Sequence, residues 1–441
     1  MHLFYHPPPF YASPSLQTFV LMVKYSRKKH GGDEAMIIFH IDVNNAYLSW
    51  EAVYRLTELN ETLDLRTIPS VVGGDEQNRH GIVLAKSMPA KAFGIKTAET
   101  LAEARKKCPD IRIVPPRHHL YKVFSNELIA YLRTITPVVE QYSIDEAFVD
   151  MTGCPLLTGH SPVAAAEQIR QEIHDRFGYT VNIGVSTNKL LAKMASDFEK
   201  PDKVHSLFPN EIKEKMWHLP VSDLFFVGRA SAKKLYNLGI RTIGELAHTD
   251  KAILQSHMGK HGATIHDYAN GIDISPVLSE QAEAKGCGNS TTLPRDVTDA
   301  GEAKNILLKL CESVGSRLRA DGFMAQVVAV SIKDSQFRHV SHQCTLSSAT
   351  NTTSELYSSV CVLFDELWDG SPIRLLGVST SKLTRERLRQ INLTDSRYYM
   401  KQGQLEKAVD DIRKKFGNDA IFRASSLEKP AAFNDNKNRK I

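Results

Sequence analysis

The sequence predicts an α+β protein built from several domains. The chain has 441 residues, and one domain usually holds about 100–200 residues. Patterns typical of strands and helices alternate up to about residue 209, and helical patterns follow to about residue 270. A polar stretch without a period, predicted to be a linker, covers 277–287, and a mixed region begins at 288.

The individual elements follow from local patterns. MIIFHIDV (36–43) is a run of β-formers that predicts a buried strand, and VVGG and IVLA around a polar turn predict a hairpin over 71–86. Helical spacing and end signals predict helices over 45–59, 100–107, 162–177, 188–198, 353–368 and 405–416. Further strands are expected over 138–151 (two strands joined by a turn near 144–146), 179–185 and 326–332.

Composition and charge narrow the class of protein. The net charge of +5 leans toward a polyanionic partner. No apolar run approaches the roughly 20 residues of a spanning helix, so we expect no membrane partner and a cytoplasmic location. The six cysteines contain no C-x-x-C pair and predict free thiols. In 1–35 the apolar run precedes the basic residues, unlike a secretory signal, so we expect a disordered extension, with Met36 as an alternative start to Met1.

Three carboxylates are the strongest candidates for chemistry. Asp42 ends the predicted buried strand, and Asp145 and Glu146 lie at the turn between two others. Buried carboxylates are costly unless they are paired or bind a metal ion. If these strands are neighbours, the three groups converge at one sheet edge and suit two Mg²⁺ ions, which prefer oxygen ligands. The alternative is a plain strand-end residue and an ordinary hairpin tip.

Three ordered segments carry a family resemblance. HIDVNNAYLSWE (40–51), YSIDEAFVDMT (142–152) and NIGVSTNKLLAKMASDFEKP (182–201) resemble the metal-binding and palm motifs of the Y-family DNA polymerases of the DinB/UmuC type. The resemblance covers about 36–383 and implies a low-fidelity, lesion-bypassing, template-directed DNA polymerase shaped like a right hand. Its implied parts are a palm (36–45 and 118–207), small fingers (46–117), a helical thumb with a helix-hairpin-helix (208–276), an α/β little finger (288–385) and a tail (386–441).

The resemblance also implies residue roles at the active site. Asp42, Asp145 and Glu146 would be the catalytic metal ligands for two Mg²⁺ ions, joined by the main-chain carbonyl of Val43. Tyr47 occupies the position of an aromatic steric gate, whose ring would leave no room for a ribose 2′-hydroxyl.

Other positions would bind the triphosphate of the incoming nucleotide. Lys200 matches a family lysine with this role. Lys91 stands where the family often has arginine, which keeps the charge but loses bidentate geometry. Met88 stands where the family often has tyrosine and cannot donate a hydrogen bond. Asn44 replaces an aspartate common in DinB-type members.

Other segments are expected to hold primer-template DNA. LFFVGRASAKKLYNLGIRTIGEL (224–246) resembles the thumb helix-hairpin-helix, with Phe226 in place of its usual first glycine and Gly239 ending a helix. GNSTTLPRD (288–296) resembles the first strand of the little finger. Main-chain N–H groups and basic side chains suit phosphate contacts without reading sequence, and the expected DNA-binding residues are Gly228, Arg229, Lys233, Lys234 and Arg295.

Partners and alternatives complete the predictions. The expected partners are DNA, dNTPs and, through the degenerate peptide QINLTD (390–395), a sliding clamp; a monomer is expected. GGDE occurs at 31–34 and 73–76, and diguanylate cyclases use such a hairpin, although neither copy is followed by Phe. A second alternative is a catalytically silent DNA-binding subunit, which the intact carboxylates argue against.

Overall fold

The computed structural model describes residues 36–75, 79, 81–280, 283–385, 396–417 and 420–423, without side chains for 396–400. Internal contacts divide the chain into two compact units, Met1–Gly73 with Val83–Gln281, and Gly74–Ile82 with Ala282–Ile441. The predicted extension at 1–35 and the QINLTD peptide lie outside the described residues. No helix in these ranges has the length and hydropathy needed to cross a bilayer.

Strands and helices alternate along the first part of the chain and cluster later. The strands are Ile38–Val43 (β1), Ser70–Gly73 (β2), Val83–Lys86 (β3), Arg112–Val114 (β4), Val139–Gln141 (β5), Glu146–Asp150 (β6), Val181–Ser186 (β7), Val204–Ser206 (β8), Gly286–Val297 (β9), Met324–Asp334 (β10), His339–Thr350 (β11) and Ile373–Thr384 (β12). The helices are Ala46–Thr57 (α1), Met88–Ala92 (α2), Leu101–Lys107 (α3), His118–Ile135 (α4), Pro162–Phe177 (α5), Lys189–Ser196 (α6), Ile212–Lys215 (α7), Arg229–Asn237 (α8), Ile243–His248 (α9), Lys251–Met258 (α10), Lys260–Ala269 (α11), Ala300–Ala320 (α12), Thr353–Leu367 (α13) and Ser396–Phe416 (α14).

A five-stranded sheet in the order β5-β6-β1-β7-β8 forms the centre of the first unit. The middle strand β1 is buried throughout, as its β-forming sequence predicts, and pairs antiparallel with β6 and β7. Successive side chains of a strand point to opposite faces. Phe39 and Ile41 enter the main core with residues of α4 and α5. His40 lies on the other face, where α6 covers the sheet and Ser196 hydrogen-bonds to it.

A small sheet and a helical segment complete the first unit. The order β3-β2-β4 confirms the predicted hairpin, whose tip residues 76–78 and 80 lie outside the described part. A capping box between Thr100 and Glu103 begins α3. From residue 209 to 270 short helices dominate, as expected, and α8 ends before Gly239, whose φ of 81° suits glycine.

The second unit contains a four-stranded antiparallel sheet in the order β11-β10-β12-β9, on which α12 and α13 pack. Two predictions need correction here. Gly286 and Cys287, assigned to a linker, already belong to β9 because they pair with β12. The helix expected over 405–416 begins at residue 396. The stretch 396–404 contains Gly403 and no apolar repeat, so the sequence pattern did not predict its helix. Ion pairs from Arg319 to the buried Glu406 and to Asp410 fix the part that was predicted.

Candidate active site

The register of the central sheet brings the three predicted carboxylates to one edge. In the β1–β6 pair, Asp42 lies directly opposite Glu146, and the Val43 amide donates to the Asp145 carbonyl over 3.0 Å. The convergence expected from sequence is therefore confirmed for the main chain. One detail was wrong. Glu146 is the first residue of β6 and not part of the turn, because it forms the last pair of the β1 ladder.

Two lysine side chains form ion pairs with two of the three carboxylates at this edge. The Lys193 Nζ lies 2.7 Å from Glu146 Oε1 and 3.5 Å from Asp42 Oδ2. The Lys200 Nζ lies 2.8 Å from Asp42 Oδ2 and 2.8 Å from Asp197 Oδ1. Sequence reasoning missed Lys193. The available signal was a charged residue inside the apolar helical stretch LLAKMA, because a lysine there is buried only with a partner.

The third carboxylate makes a different contact. Asp145 Oδ1 accepts a hydrogen bond from the Ser143 hydroxyl over 2.6 Å. Accordingly, no group of three His, Cys, Asp or Glu side chains in the described ranges is arranged to hold a metal ion. The donor chemistry nevertheless fits a hard divalent cation, because every candidate ligand is an oxygen atom and two of the carboxylates face each other across paired strands.

Burial and charge together tune the groups at this edge. Burial raises the pKa of the Glu146 carboxyl, Lys193 opposes that change, and the charges of Asp42 and Asp145 add to it. Burial alone would lower the pKa of Lys193, but the carboxylates of Asp197, Glu146 and Asp42 raise it above its usual value. The ammonium therefore stays charged and compensates carboxylates that would otherwise repel one another.

A neutral histidine lies beside the edge. The Ser196 hydroxyl donates to the Lys193 carbonyl over 2.8 Å, so its oxygen is left to accept from His40 Nδ1, also at 2.8 Å. Burial, with the charges of Lys193 and Lys200, holds the pKa of His40 well below its usual range. The other ring nitrogen, Nε2, has no hydrogen-bond partner in the described structure and lies 3.9 Å from Glu146 Oε2.

Tyr47, the predicted steric gate, lies in the first turn of α1, shortly after the end of β1. Its ring stacks on that of Tyr121 with centroids 4.9 Å apart and an interplanar angle of 17°. Burial raises the pKa of Tyr47, and the negative charge of Asp145 raises it further. The stacked ring of Tyr121 thus fixes the Tyr47 ring in the first turn of α1, the helix that follows the strand carrying Asp42.

The predicted triphosphate ligands lie on two elements. Lys200 reaches the carboxylate edge, whereas Lys91 is exposed on the short helix α2 together with the exposed Met88. Sequence reasoning did not include Lys86. Burial lowers the pKa of Lys86 and the charge of Lys91 lowers it further, while Glu99 opposes both. Two lysines therefore concentrate positive charge next to α2.

The predicted thumb residues surround the beginning of α8. Gly228 is its N-cap without a side-chain hydrogen bond, and a Cβ there would meet nothing within 4 Å. Arg229 and Lys233 are exposed beside it, as is Lys234. The helix therefore presents open N–H groups flanked by cations, which suits a phosphate. In the second unit Arg295 pairs with Glu302 over 2.9 Å and stays 71% exposed.

The residue that replaces the usual hairpin glycine has a glycine-like backbone. Phe226 has φ of 77° and its side chain is exposed. Its ring lies 5.4 Å from that of His261 and 6.1 Å from that of Tyr268. The hairpin therefore keeps its turn at the cost of backbone strain, since a non-glycine residue in this region is unfavourable by about 1–2 kcal/mol.

We expect Phe226→Gly to be more stable than Phe226→Ala by about 1 kcal/mol, the reverse of the usual order. Both variants lose the ring, but only glycine relieves the positive φ. Urea unfolding of the two variants measures the difference. Alanine as the more stable variant would contradict the strained backbone.

Comparison with known proteins agrees with this geometry. A family model described as the impB/mucB/samB family matches residues 41–197, its C-terminal domain matches 284–393, and a model described as the DNA polymerase-iota thumb domain matches 222–273. DNA polymerase IV of Clostridium acetobutylicum is 46% identical over 393 residues, covering 89% of this chain and 98% of that protein. DNA polymerase IV 2 of Bacillus subtilis is 38% identical over 399 residues, covering 89% and 94%.

A solved structure supports the fold independently. The Y-family DNA polymerase chimera Dbh-Dpo4(243-245)-Dbh aligns with a TM-score of 0.68 at 22% identity, covering 80% of this chain and 100% of that one. The chain belongs to the impB/mucB/samB family, the Y-family of DNA polymerases. Its fold is that of a right-hand polymerase.

Proposed function

We propose that this chain is a translesion DNA polymerase that adds dNMP from dNTP to a primer 3′ end under the direction of a template. The observation that carries the proposal is the β1–β6 register, which sets Asp42 opposite Glu146 with Asp145 adjacent. Family membership makes polymerisation the expected use of such a carboxylate edge.

The carboxylates are proposed to hold divalent cations. Asp42, Asp145 and Glu146, with the Val43 carbonyl, would hold two Mg²⁺ ions, which supply activation of the primer hydroxyl and stabilisation of the leaving pyrophosphate. The Ser143 hydroxyl donates to Asp145 Oδ1, which leaves Oδ2 as the oxygen that could bind a cation. Lys193 compensates the negative charge of Asp42 and Glu146 in the structure described here.

The remaining residues would position the nucleotide and the DNA. Lys200 and Lys91 would bind triphosphate oxygens, since both are cationic and partly or fully exposed. Tyr47 would exclude ribonucleotides, because its ring is stacked on Tyr121 in the first turn of the helix that follows the Asp42 strand. The open beginning of α8 would contact DNA phosphates through Gly228 and its neighbours, and Arg295 would add a contact from β9.

The domain division and further partners are proposed on the same basis. The central sheet corresponds to a palm, the β2–β4 sheet to fingers, the α7–α11 segment to a thumb and the second unit to a little finger. A monomeric protein that contacts a sliding clamp through 390–395 is proposed from sequence alone. The cyclase alternative finds no support, because Gly73 of the second GGDE ends β2 inside the match at 41–197.

Primer extension tests this function. On a primed template, we expect complementary nucleotides to be added, synthesis to continue past an abasic site, and fidelity to be low because small fingers grip the base pair loosely. Incorporation independent of the template base, cyclic dinucleotide formation from GTP, or replicative accuracy in a gapped-template assay would each contradict part of the proposal.

A further inference from the structure

A buried network stands directly behind the proposed gate residue. Tyr121 is fully buried, and its ring stacks on Tyr47 at 4.9 Å. Its hydroxyl donates to Glu51 Oε2 over 3.1 Å. The ring is thus fixed at its polar end by a hydrogen bond and along its face by Tyr47.

The partner of Tyr121 is itself immobilised. Glu51 is fully buried, and its Oε1 accepts from Arg55 Nε over 2.7 Å, while Arg117 Nε lies 3.7 Å away. Movement of the Glu51 carboxylate would break its hydrogen bonds to an arginine and a phenol, and breaking hydrogen bonds of buried groups is costly. Burial also raises the pKa of Tyr121, so its hydroxyl remains a donor to Glu51.

We propose that Tyr121, held by Glu51, is a positioning residue that sets how strongly Tyr47 discriminates between deoxyribose and ribose. The inference rests on the proposed role of Tyr47. A steric gate excludes a 2′-hydroxyl only if its ring cannot yield, and close packing against a fixed neighbour prevents yielding.

The experiment compares four variants of the full chain. Tyr121→Leu removes the stacked ring, and Tyr121→Phe removes only the hydroxyl. Tyr47→Ala removes the gate itself. Phe124→Leu is the matched control, because Phe124 belongs to the same aromatic cluster but its ring contacts in the described structure are to Trp50 and Tyr179.

The readout is the ratio of kcat/KM for dCTP to kcat/KM for CTP, with 2′-fluoro and 2′-O-methyl analogues as a size series. We expect Tyr47→Ala to lower the dCTP/CTP ratio by about 10- to 200-fold. Tyr121→Leu should lower it by about tenfold and Tyr121→Phe by about fivefold, increasingly so for larger 2′ groups. A merely structural defect would lower kcat/KM for all four substrates alike.

Each outcome decides a separate claim. An unchanged ratio in Tyr47→Ala would remove the gate and with it the premise. A changed ratio in Tyr47→Ala with wild-type ratios in both Tyr121 variants would overturn the positioning role alone. An equal loss in Phe124→Leu would also overturn it, since any loosening of the core would then suffice. If Tyr121→Leu does not fold, an unchanged ratio in Tyr121→Phe overturns the proposed tether to Glu51.

Discussion

Replacing Asp145 with asparagine should lower the rate of primer extension by about 10³-fold or more. The substitution keeps the size of the side chain and the Ser143 contact but removes one negative charge from the proposed cation site. DNA affinity should persist or rise slightly, because removal of an anionic group cannot weaken phosphate contacts. Single-turnover extension and DNA binding in separate assays measure the two effects.

Asp150→Asn is the matched control for this prediction. Asp150 ends the same strand β6, and its carboxylate accepts from the Thr152 amide over 2.9 Å, at the opposite end from Glu146. Extension by this variant should stay within a few-fold of wild type. If Asp145→Asn extends primers as fast as Asp150→Asn, the carboxylate at 145 has no part in the chemistry.

Gly184→Ala should destabilise the first unit by about 3 kcal/mol, at the upper end for overpacking. Gly184 lies in β7 against α6, where a Cβ would stand 1.9 Å from the Ala192 carbonyl oxygen and 2.5 Å from the Ser196 amide nitrogen. These are backbone atoms, so the helix must move as a whole. Because α6 also carries Lys193, a shift of this helix should lower extension activity even under conditions in which the variant is still folded.

Chemical denaturation measures the lost stability of Gly184→Ala. Hydrogen exchange of the β1, β6 and β7 amides shows whether the loss falls on the central sheet. Gly403→Ala in α14 provides the opposite case, since a Cβ there would meet nothing within 4 Å. That substitution should stabilise its helix by about 0.5–1 kcal/mol. Equal stabilities for the wild type and Gly184→Ala would refute the close approach of α6 to the sheet.

Periodicity and end signals predicted most local structure. The helix expected over 162–177 has those bounds, and Gly178 ends it with φ of 73°, because the pattern and its terminating glycine are local properties. The edge that gathers Asp42, Asp145 and Glu146 followed from strand ends plus family resemblance. Free thiols were confirmed for all six cysteines.

Features that depend on distant contacts were not predictable in the same way. Lys193 reaches Glu146 only because α6 crosses β1 and β7. The sequence around Glu146 gives no indication of this partner, which is 47 residues away. Likewise, α14 is held by ion pairs from Arg319 of another helix to Glu406 and Asp410. At Phe226 the sequence showed only that the usual hairpin glycine is replaced, and it did not predict that the backbone keeps a positive φ. Contacts from residues distant in the chain determine the first two of these features.

Binding of Mn²⁺, followed by electron paramagnetic resonance, tests the central claim most directly. Manganese takes oxygen ligands as Mg²⁺ does and can be observed without turnover, in the presence of primer-template DNA and an unreactive dNTP analogue. We expect the wild-type protein and Asp150→Asn to bind the ion and Asp42→Asn and Asp145→Asn to bind it much more weakly. Equal binding by all four proteins would contradict a cation site at the β1–β6 edge.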